Sequence, residues 1–197
     1  MSPQPRIIGI GGTTRSGSST EKALRYVGRE AERMGARWEL FAGPQLLLPT
    51  YNVDKPERGA EARRIIEAMR ACDALVVASP GYHGSYSGLI KNVLDYAEDL
   101  ANDDRPYLEG RAVGCIAGGL GWQAIGTTLA GLRTVVHALR AWPTPMGVAM
   151  NTAVKVFDES GEVLVPEIKR ELDTLTSQLV EFARMRHLYV ESLAKGR

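Results

Sequence analysis

The chain is poor in the residues that most often carry chemistry by themselves, with only two cysteines and three histidines among 197 residues. Cys72 and Cys115 lie at a helix end and inside an apolar run, so both read as small buried hydrophobes rather than as a metal-binding pair. A Cys-x5-Arg phosphatase loop is excluded, because Ala78 stands six places after Cys72 and Gly121 six places after Cys115. No run of about 18 apolar residues occurs, and Met1-Ser2-Pro3-Gln4-Pro5-Arg6 lacks a secretory pattern, so no membrane contact and a cytoplasmic location are expected. Charge of one sign is lacking too: 24 Lys and Arg stand against 23 Asp and Glu. That balance provides no field to gather nucleic acid or anionic lipid. The length suits one domain, taken as residues 1–197 with a core at about 6–150 and a hairpin and helix at 153–195.

What is present is an alternation of short apolar runs and amphipathic stretches. Arg6 to Gly12 is a β-branched run closed by glycines, and Ser18 to Met34 carries Ala23, Leu24, Val27, Ala31 and Met34 at helical spacing. Trp38 to Phe41 reads as a strand, Ala60 to Ala71 as a helix, and Ala74 to Ala78 as a fully buried strand. Ser87 to Leu100 is helical, Ala112 to Ala117 is strand-like, Gly121 to Leu139 is a partly buried helix, and Met146 to Ala149 is the fifth strand. A hairpin with strands at 154–157 and 163–165 and a helix from Pro166 to Leu193 follow. The alternation requires crossover connections, hence an α/β, doubly wound sandwich: a five-stranded parallel sheet with helices on both faces, in the flavodoxin-like order. Ligands of such sheets sit beyond the carboxyl ends of the strands.

Three loops at that edge have unusual compositions. The first, Gly11 to Thr20, holds three glycines, six hydroxyl side chains and Arg15 at a helix entrance, where helix-terminal N–H groups and the dipole favour a phosphate. It is neither a Walker A loop, since no Gly-Lys-Ser/Thr follows, nor a dinucleotide fingerprint, since Thr14 replaces the third glycine. A plain reading stays open beside this one: Ser18 or Ser19 caps the helix, with Glu21 completing a capping box. The second loop, Ser79 to Gly88, is glycine-rich, and Tyr82 and Tyr86 offer ring faces to a flat ligand. His83 has no carboxylate or nucleophile set against it, so cofactor contact is favoured over proton transfer. Lys91 and Asp95, four residues apart, are a surface pair or an inter-subunit contact. The third loop, Ala117 to Gln123, is either a second backbone wall of the same site or a flexible turn with Trp122 in the core.

Two of these segments resemble the signatures of the NADPH-dependent FMN reductase family. Gly12-Thr13-Thr14-Arg15-Ser16-Gly17-Ser18 matches its Gly-Ser-x-Arg-x-x-Ser loop with threonine for serine. Ser79-Pro80, Tyr82, Ser85, Gly88, Lys91-Asn92 and Asp95 fall in register with its second motif. The departures are Gly81 for glutamate, Ser87 for proline, Ile90 for leucine, Leu94 for isoleucine and Tyr96 for tryptophan. The resemblance spans about residues 6–150 and implies FMN as cofactor, with NADPH or NADH as the hydride source. It assigns the phosphate to Thr13, Arg15, Ser18, Ser19 and Thr20, and the isoalloxazine to Pro80, Gly81, Tyr82, His83, Gly84 and Ser85, with Gly118 and Gly119 as further contacts. Tyr86-Ser87-Gly88 is similar to the subgroup that supplies reduced flavin to two-component monooxygenases.

No acid–base or nucleophilic constellation is visible, and none is needed, because a flavin carries its own reactive atom. The alternatives are a reductase of the same fold acting on a quinone, an azo compound or a metal oxyanion, and an electron-carrying flavodoxin, which the near-neutral charge and short loops disfavour. A homodimer or homotetramer is also expected. Leu89, Ile90, Val93, Leu94, Tyr96 and Ala97 spread around more of their helix than one buried stripe needs, which points to an interface there and on the helix after Gly121.

Overall fold

The computed structural model describes residues 4–196. Strands β1 (Arg6–Gly11), β2 (Arg37–Phe41), β3 (Ala74–Tyr82) and β5 (Ala112–Gly119) pair in parallel in the order β2-β1-β3-β5. The short strand β4 (Ser85–Tyr86) turns back antiparallel on β3. The order reverses between β1 and β3, so a crevice opens at the carboxyl ends of those two strands.

The fifth position is filled by two pieces, β6 (Trp142–Pro143) along the start of β5 and β7 (Val148–Asn151) along its end. The single strand expected at 146–149 is thus shifted and split. Pro143 and Pro145 explain the break, since proline has no N–H to give to a ladder; Thr144 between them still donates its N–H to the Val113 carbonyl at 3.0 Å.

The central strands are apolar along their whole buried length because both faces are covered. On one side lie α2 (Ala60–Ala71), α3 (Gly88–Asp95) and α4 (Trp122–Ala138), packed on Ile8, Leu75, Val77 and Val113. On the other lie α1 (Ser19–Arg33) and α5 (Pro166–Lys195), packed on Ile7, Val76, Ala112 and Ile116. The alternation of neighbours along each strand follows the two-residue period of the pleat.

Two further expectations change in the structure. The hairpin at 154–165 is reduced to one isolated bridge, Phe157 with Val163. A two-residue ladder has no third strand to extend it, and the turn is held over α1 instead, where Lys22 Nζ donates to the Asp158 carbonyl at 2.8 Å. The helix expected over 87–100 is α-helical only to Asp95 and continues as a 3-10 turn, Tyr96–Leu100.

More consequentially, Ile90, Val93, Leu94, Tyr96 and Ala97 are all buried within this one chain, and only Leu89 is partly exposed. The apolar surplus read as an interface is covered by the segment after β2. Asn92 holds that cover: its Nδ2 donates to the carbonyls of Leu48 at 3.3 Å and Pro49 at 3.0 Å, while its Oδ1 accepts the Tyr51 N–H at 2.8 Å. Arg58 strengthens the latch by a two-pronged pair with Asp99, at 2.7 and 2.8 Å, and lies 4.7 Å from the Tyr51 ring centre. The guanidinium beside Asp99 holds that carboxyl below its usual range. The argument that placed an oligomer contact on α3 therefore falls.

Candidate functional site

The site begins where β1 ends. Gly12 takes φ of +110°, open to glycine and strained for other residues, and its N–H reaches the Ala78 carbonyl of β3 at 3.2 Å. The chain then winds into the entrance of α1. Thr13 fixes the first bend, its Oγ1 accepting the Arg15 N–H at 3.1 Å while the hydroxyl contacts the Arg15 carbonyl at 3.0 Å. Ser18 is the N-cap, and its Oγ accepts the Glu21 N–H at 3.3 Å. Glu21 completes the expected box one residue upstream, accepting the Gly17 N–H at 2.9 Å instead of the N-cap's own. The cap reading and the phosphate reading are therefore compatible. Ser18 uses one lone pair on the helix, and the N–H groups of Ser19 and Thr20 in the first turn have no acceptor within α1.

Electrostatics at this entrance favour an anion. Glu21 would oppose one, but Arg25 neutralises it with two bonds to Oε1, at 2.9 and 2.7 Å. Arg15 is exposed and forms no ion pair among the described residues, so its charge is left for a ligand.

A cavity of about 340 Å³ extends from this entrance between the ends of β3 and β5. It brings together Thr13, Arg15, Ser18, Ser19, Thr20, Pro80, Gly81, Tyr82, Gly118 and Gly119, and adds Leu120, Gly121, Ala124 and Thr152. Thr152 was missed because the split of the fifth strand hid its carboxyl end; its N–H and hydroxyl both meet the Gly119 carbonyl, at 2.8 and 3.1 Å. At Gly81 the wall is bare backbone because a Cβ there would press on α4, 2.8 Å from Thr128 Oγ1 and 3.1 Å from the Ala124 carbonyl. That packing also explains why glycine stands where the family motif has glutamate.

His83, Gly84 and Ser85 do not line the cavity. His83 and Gly84 form the tight turn between β3 and β4, with φ of +50° and +86°, and all three residues are exposed. Ser79 of the same motif is fully buried and structural, accepting the Ser87 N–H at 2.9 Å. Lys91 and Asp95 form a half-exposed ion pair, as the plain reading had it. Trp122 is not core: it is 64% exposed beside Leu120, at 76%. Both thiols are buried, and burial pushes Cys72 to about 11 and Cys115 to about 12, so neither is a nucleophile. Among the described residues no group of three or more His, Cys, Asp or Glu is placed to hold a metal, and no helix is long and apolar enough to cross a membrane.

An anion cradle at a helix entrance, joined at a sheet switch point to a slot of bare backbone, defines the flavodoxin-like class of nucleotide-binding α/β proteins. Solved structures agree on the fold. The chain is similar to the NAD(P)H:(acceptor) oxidoreductase FerB of Paracoccus denitrificans, with a TM-score of 0.76 at 19% identity over 92% of this chain and 98% of that one. It is also similar to the apo form of an NADH:FMN oxidoreductase, with a TM-score of 0.65 at 21% identity over 89% and 90%. By sequence it is 29% identical to an NAD(P)H-dependent FMN reductase of Pseudomonas aeruginosa over 83% of this chain and 87% of the relative. It is 30% identical to an FMN-dependent NADPH-azoreductase of Staphylococcus aureus, over 59% of each. The profile of the NADPH-dependent FMN reductase family matches residues 5–155, and the chain belongs to that family. It is an NAD(P)H-dependent flavin reductase with FMN as its flavin.

Proposed function

We propose that the cavity is the FMN site, with the phosphate held by the loop from Thr13 to Thr20 and the ring laid along Pro80, Gly81, Tyr82, Gly118 and Gly119. The observation that supports this reading is the continuity of one cavity from an arginine with no ion pair among the described residues, past free helix-terminal N–H groups, to the glycine backbone at Gly81, Gly118 and Gly119. The donor set fits a phosphate dianion: hydroxyls of Thr13, Ser18, Ser19 and Thr20, amides at a helix N-terminus, and one guanidinium.

When bound, the flavin supplies hydride chemistry at its ring. The protein then has three tasks. Arg15 and the hydroxyls bind the phosphate, the glycine backbone of β3 and β5 fixes the ring plane, and Tyr82, 54% exposed, borders the open side where a nicotinamide approaches. No side chain is assigned a proton.

Free FMN as the oxidant accepting hydride is the first reading of the electron acceptor. Tyr82, Leu120 and Trp122, all more than half exposed near the cavity mouth, favour a flat aromatic acceptor of the quinone or azo kind as a second. Supply of reduced flavin to a monooxygenase rests on Tyr86-Ser87-Gly88 alone.

The test is spectroscopic. Titration of the purified chain with FMN is expected to shift the flavin absorption bands and quench its fluorescence, and anaerobic NADPH or NADH then to bleach the visible absorption of the oxidised flavin. A flavin spectrum unchanged at saturating protein would remove the cavity assignment. Steady-state rates with free FMN against quinone and azo acceptors separate the two acceptor readings.

A further inference from the structure

Ala183, Arg186, His187, Val190 and Glu191 follow one another at spacings of three, one, three and one, which places them on one face of α5. Two small apolar side chains are thus interleaved with three polar ones. Opposite them stand Asp73, just before β3, and Arg105, in the loop before β5, and together the two sides line a cavity of about 320 Å³. That volume suits a small molecule.

The polar groups of this lining are unequally spent. Asp73 has both oxygens engaged: Oδ2 accepts the Arg6 N–H and Oδ1 pairs with His187 Nε2, each at 2.8 Å. The second of these bonds pins α5 over the cavity. The two arginines are not committed in this way. Among the described residues Arg105 donates only through Nε, to the Glu109 carbonyl at 3.4 Å, and Arg186 has neither a hydrogen bond nor an ion pair, its guanidinium lying 5.4 Å from the Tyr189 ring centre. Arg186 reaches the loop before β5 because Gly110 has no side chain, since a Cβ there would stand 3.3 Å from its Nε. Partial burial and the neighbouring cations Arg111 and Arg186 hold the Arg105 guanidinium below the usual arginine range, with Asp73 as the offsetting carboxylate. Cations gathered without acid partners of their own favour an anion.

We propose that this cavity binds a small organic monocarboxylate, whose charge is taken by the guanidinium groups of Arg105 and Arg186 and whose apolar body rests on Ala183 and Val190. Arginine suits the task because its planar fork offers a carboxylate paired donors. Asp73 and the exposed Glu191 set the charge limit, since both line the cavity and repel a second negative charge on the ligand. A phosphate dianion is disfavoured for that reason, and a bare ion leaves the apolar pair uncovered. The cavity lies at the opposite end of β3 from Pro80, Gly81 and Tyr82, so the ligand and the flavin bind without contact and the proposal is independent of the FMN assignment.

Calorimetric titration of the full chain with cyclohexanecarboxylate, whose puckered ring does not stack on a flavin, is the test. Binding with a Kd below about 1 mM is expected, the same with and without saturating FMN. Cyclohexylmethanol, the uncharged analogue, should give no heat, and inorganic phosphate should bind more weakly than the carboxylate. Arg105→Gln and Arg186→Gln are each expected to lose about ten- to hundredfold in affinity, the equivalent of one hydrogen bond to a charged group, with circular dichroism and FMN affinity as in wild type. Val190, 49% exposed, tests the apolar half: Val190→Asp sets a negative charge beside the ligand's body and should abolish binding in a folded protein. No binding up to about 10 mM, equal affinity for the alcohol or for phosphate, or variants that bind the carboxylate like wild type overturn the proposal.

Discussion

The two ends of one sheet are built on opposite rules. At the amino end, Arg111 is 1% exposed and all three of its side-chain nitrogens bond backbone: Nε the Cys72 carbonyl at 3.1 Å, Nη2 that of Arg70 at 2.6 Å, and Nη1 those of Tyr107 and Glu109, both at 3.3 Å. The loops before β3 and β5 are tied together by this single buried cation. At the carboxyl end, Arg15 is exposed without an acid partner, the first N–H groups of α1 lack helical acceptors, and glycine backbone forms the walls. Satisfied groups make the amino end a clamp. Under the proposed FMN assignment, unsatisfied groups at the surface suit the carboxyl end as a receptor, because water holds their place at little cost until a ligand with matching charge arrives.

The largest effect is expected at the clamp. Arg111→Met removes the side-chain donor from the Cys72, Arg70 and Tyr107 carbonyls in a buried or part-buried setting, and a loss of about 3–5 kcal/mol is expected by chemical denaturation. FMN affinity of the folded fraction should stay near wild type, since the clamp and the cavity share no residue. A variant with wild-type stability would show that Arg111 is a passenger.

Next in size is the receptor's cation. Arg15→Ala is expected to weaken FMN binding by about 1.5–3 kcal/mol, the range for a hydrogen bond to a charged group, with the unfolding midpoint unchanged. The contrast between the ends fails if stability drops and affinity does not.

A smaller effect tests the backbone wall. Gly81→Ala drives a methyl against Thr128 Oγ1 and the Ala124 carbonyl, and about 1–3 kcal/mol of destabilisation is expected from overpacking. Thr128 is fully buried and its hydroxyl has no partner, so Thr128→Ala in the Gly81→Ala background should recover part of that loss. Absence of coupling in the double-mutant cycle would mean that α4 yields elsewhere.

The smallest effect belongs to the turn. His83→Ala is expected to change turnover only modestly, because His83 stands exposed outside the cavity. A loss of the about 10²–10⁴-fold typical of a missing acid or base, with FMN still bound, would make it catalytic.

Much of the site was legible because it is local. The Gly12-to-Thr20 loop is one stretch of chain, and its hydroxyls, glycines and arginine point to an anion wherever the rest of the molecule goes. Other parts were misread because the deciding partner lies far along the chain. Leu94, Tyr96 and Ala97 looked like surplus until residues 48–51 covered them, some 40 positions away, through Asn92 and the Tyr96 hydroxyl on the Pro49 carbonyl. Trp122 in the core was one of two readings open for its loop, and α4 decides against it by burying Ile125, Thr128, Leu132 and Val136 and turning Trp122 to solvent. Ser85 matched a motif in register, but the turn at His83 and Gly84, both with positive φ, leaves residues 83–85 outside the cavity lining.

Period and composition thus determined the parallel sheet, its two helical faces and the anion loop, since strand burial and helix entry are set by neighbours within a few residues. Only the tertiary structure decided which glycines form the wall and that Thr152 joins it. It alone decided that a buried arginine locks the far pole, because each of these depends on how closely segments from distant parts of the chain approach.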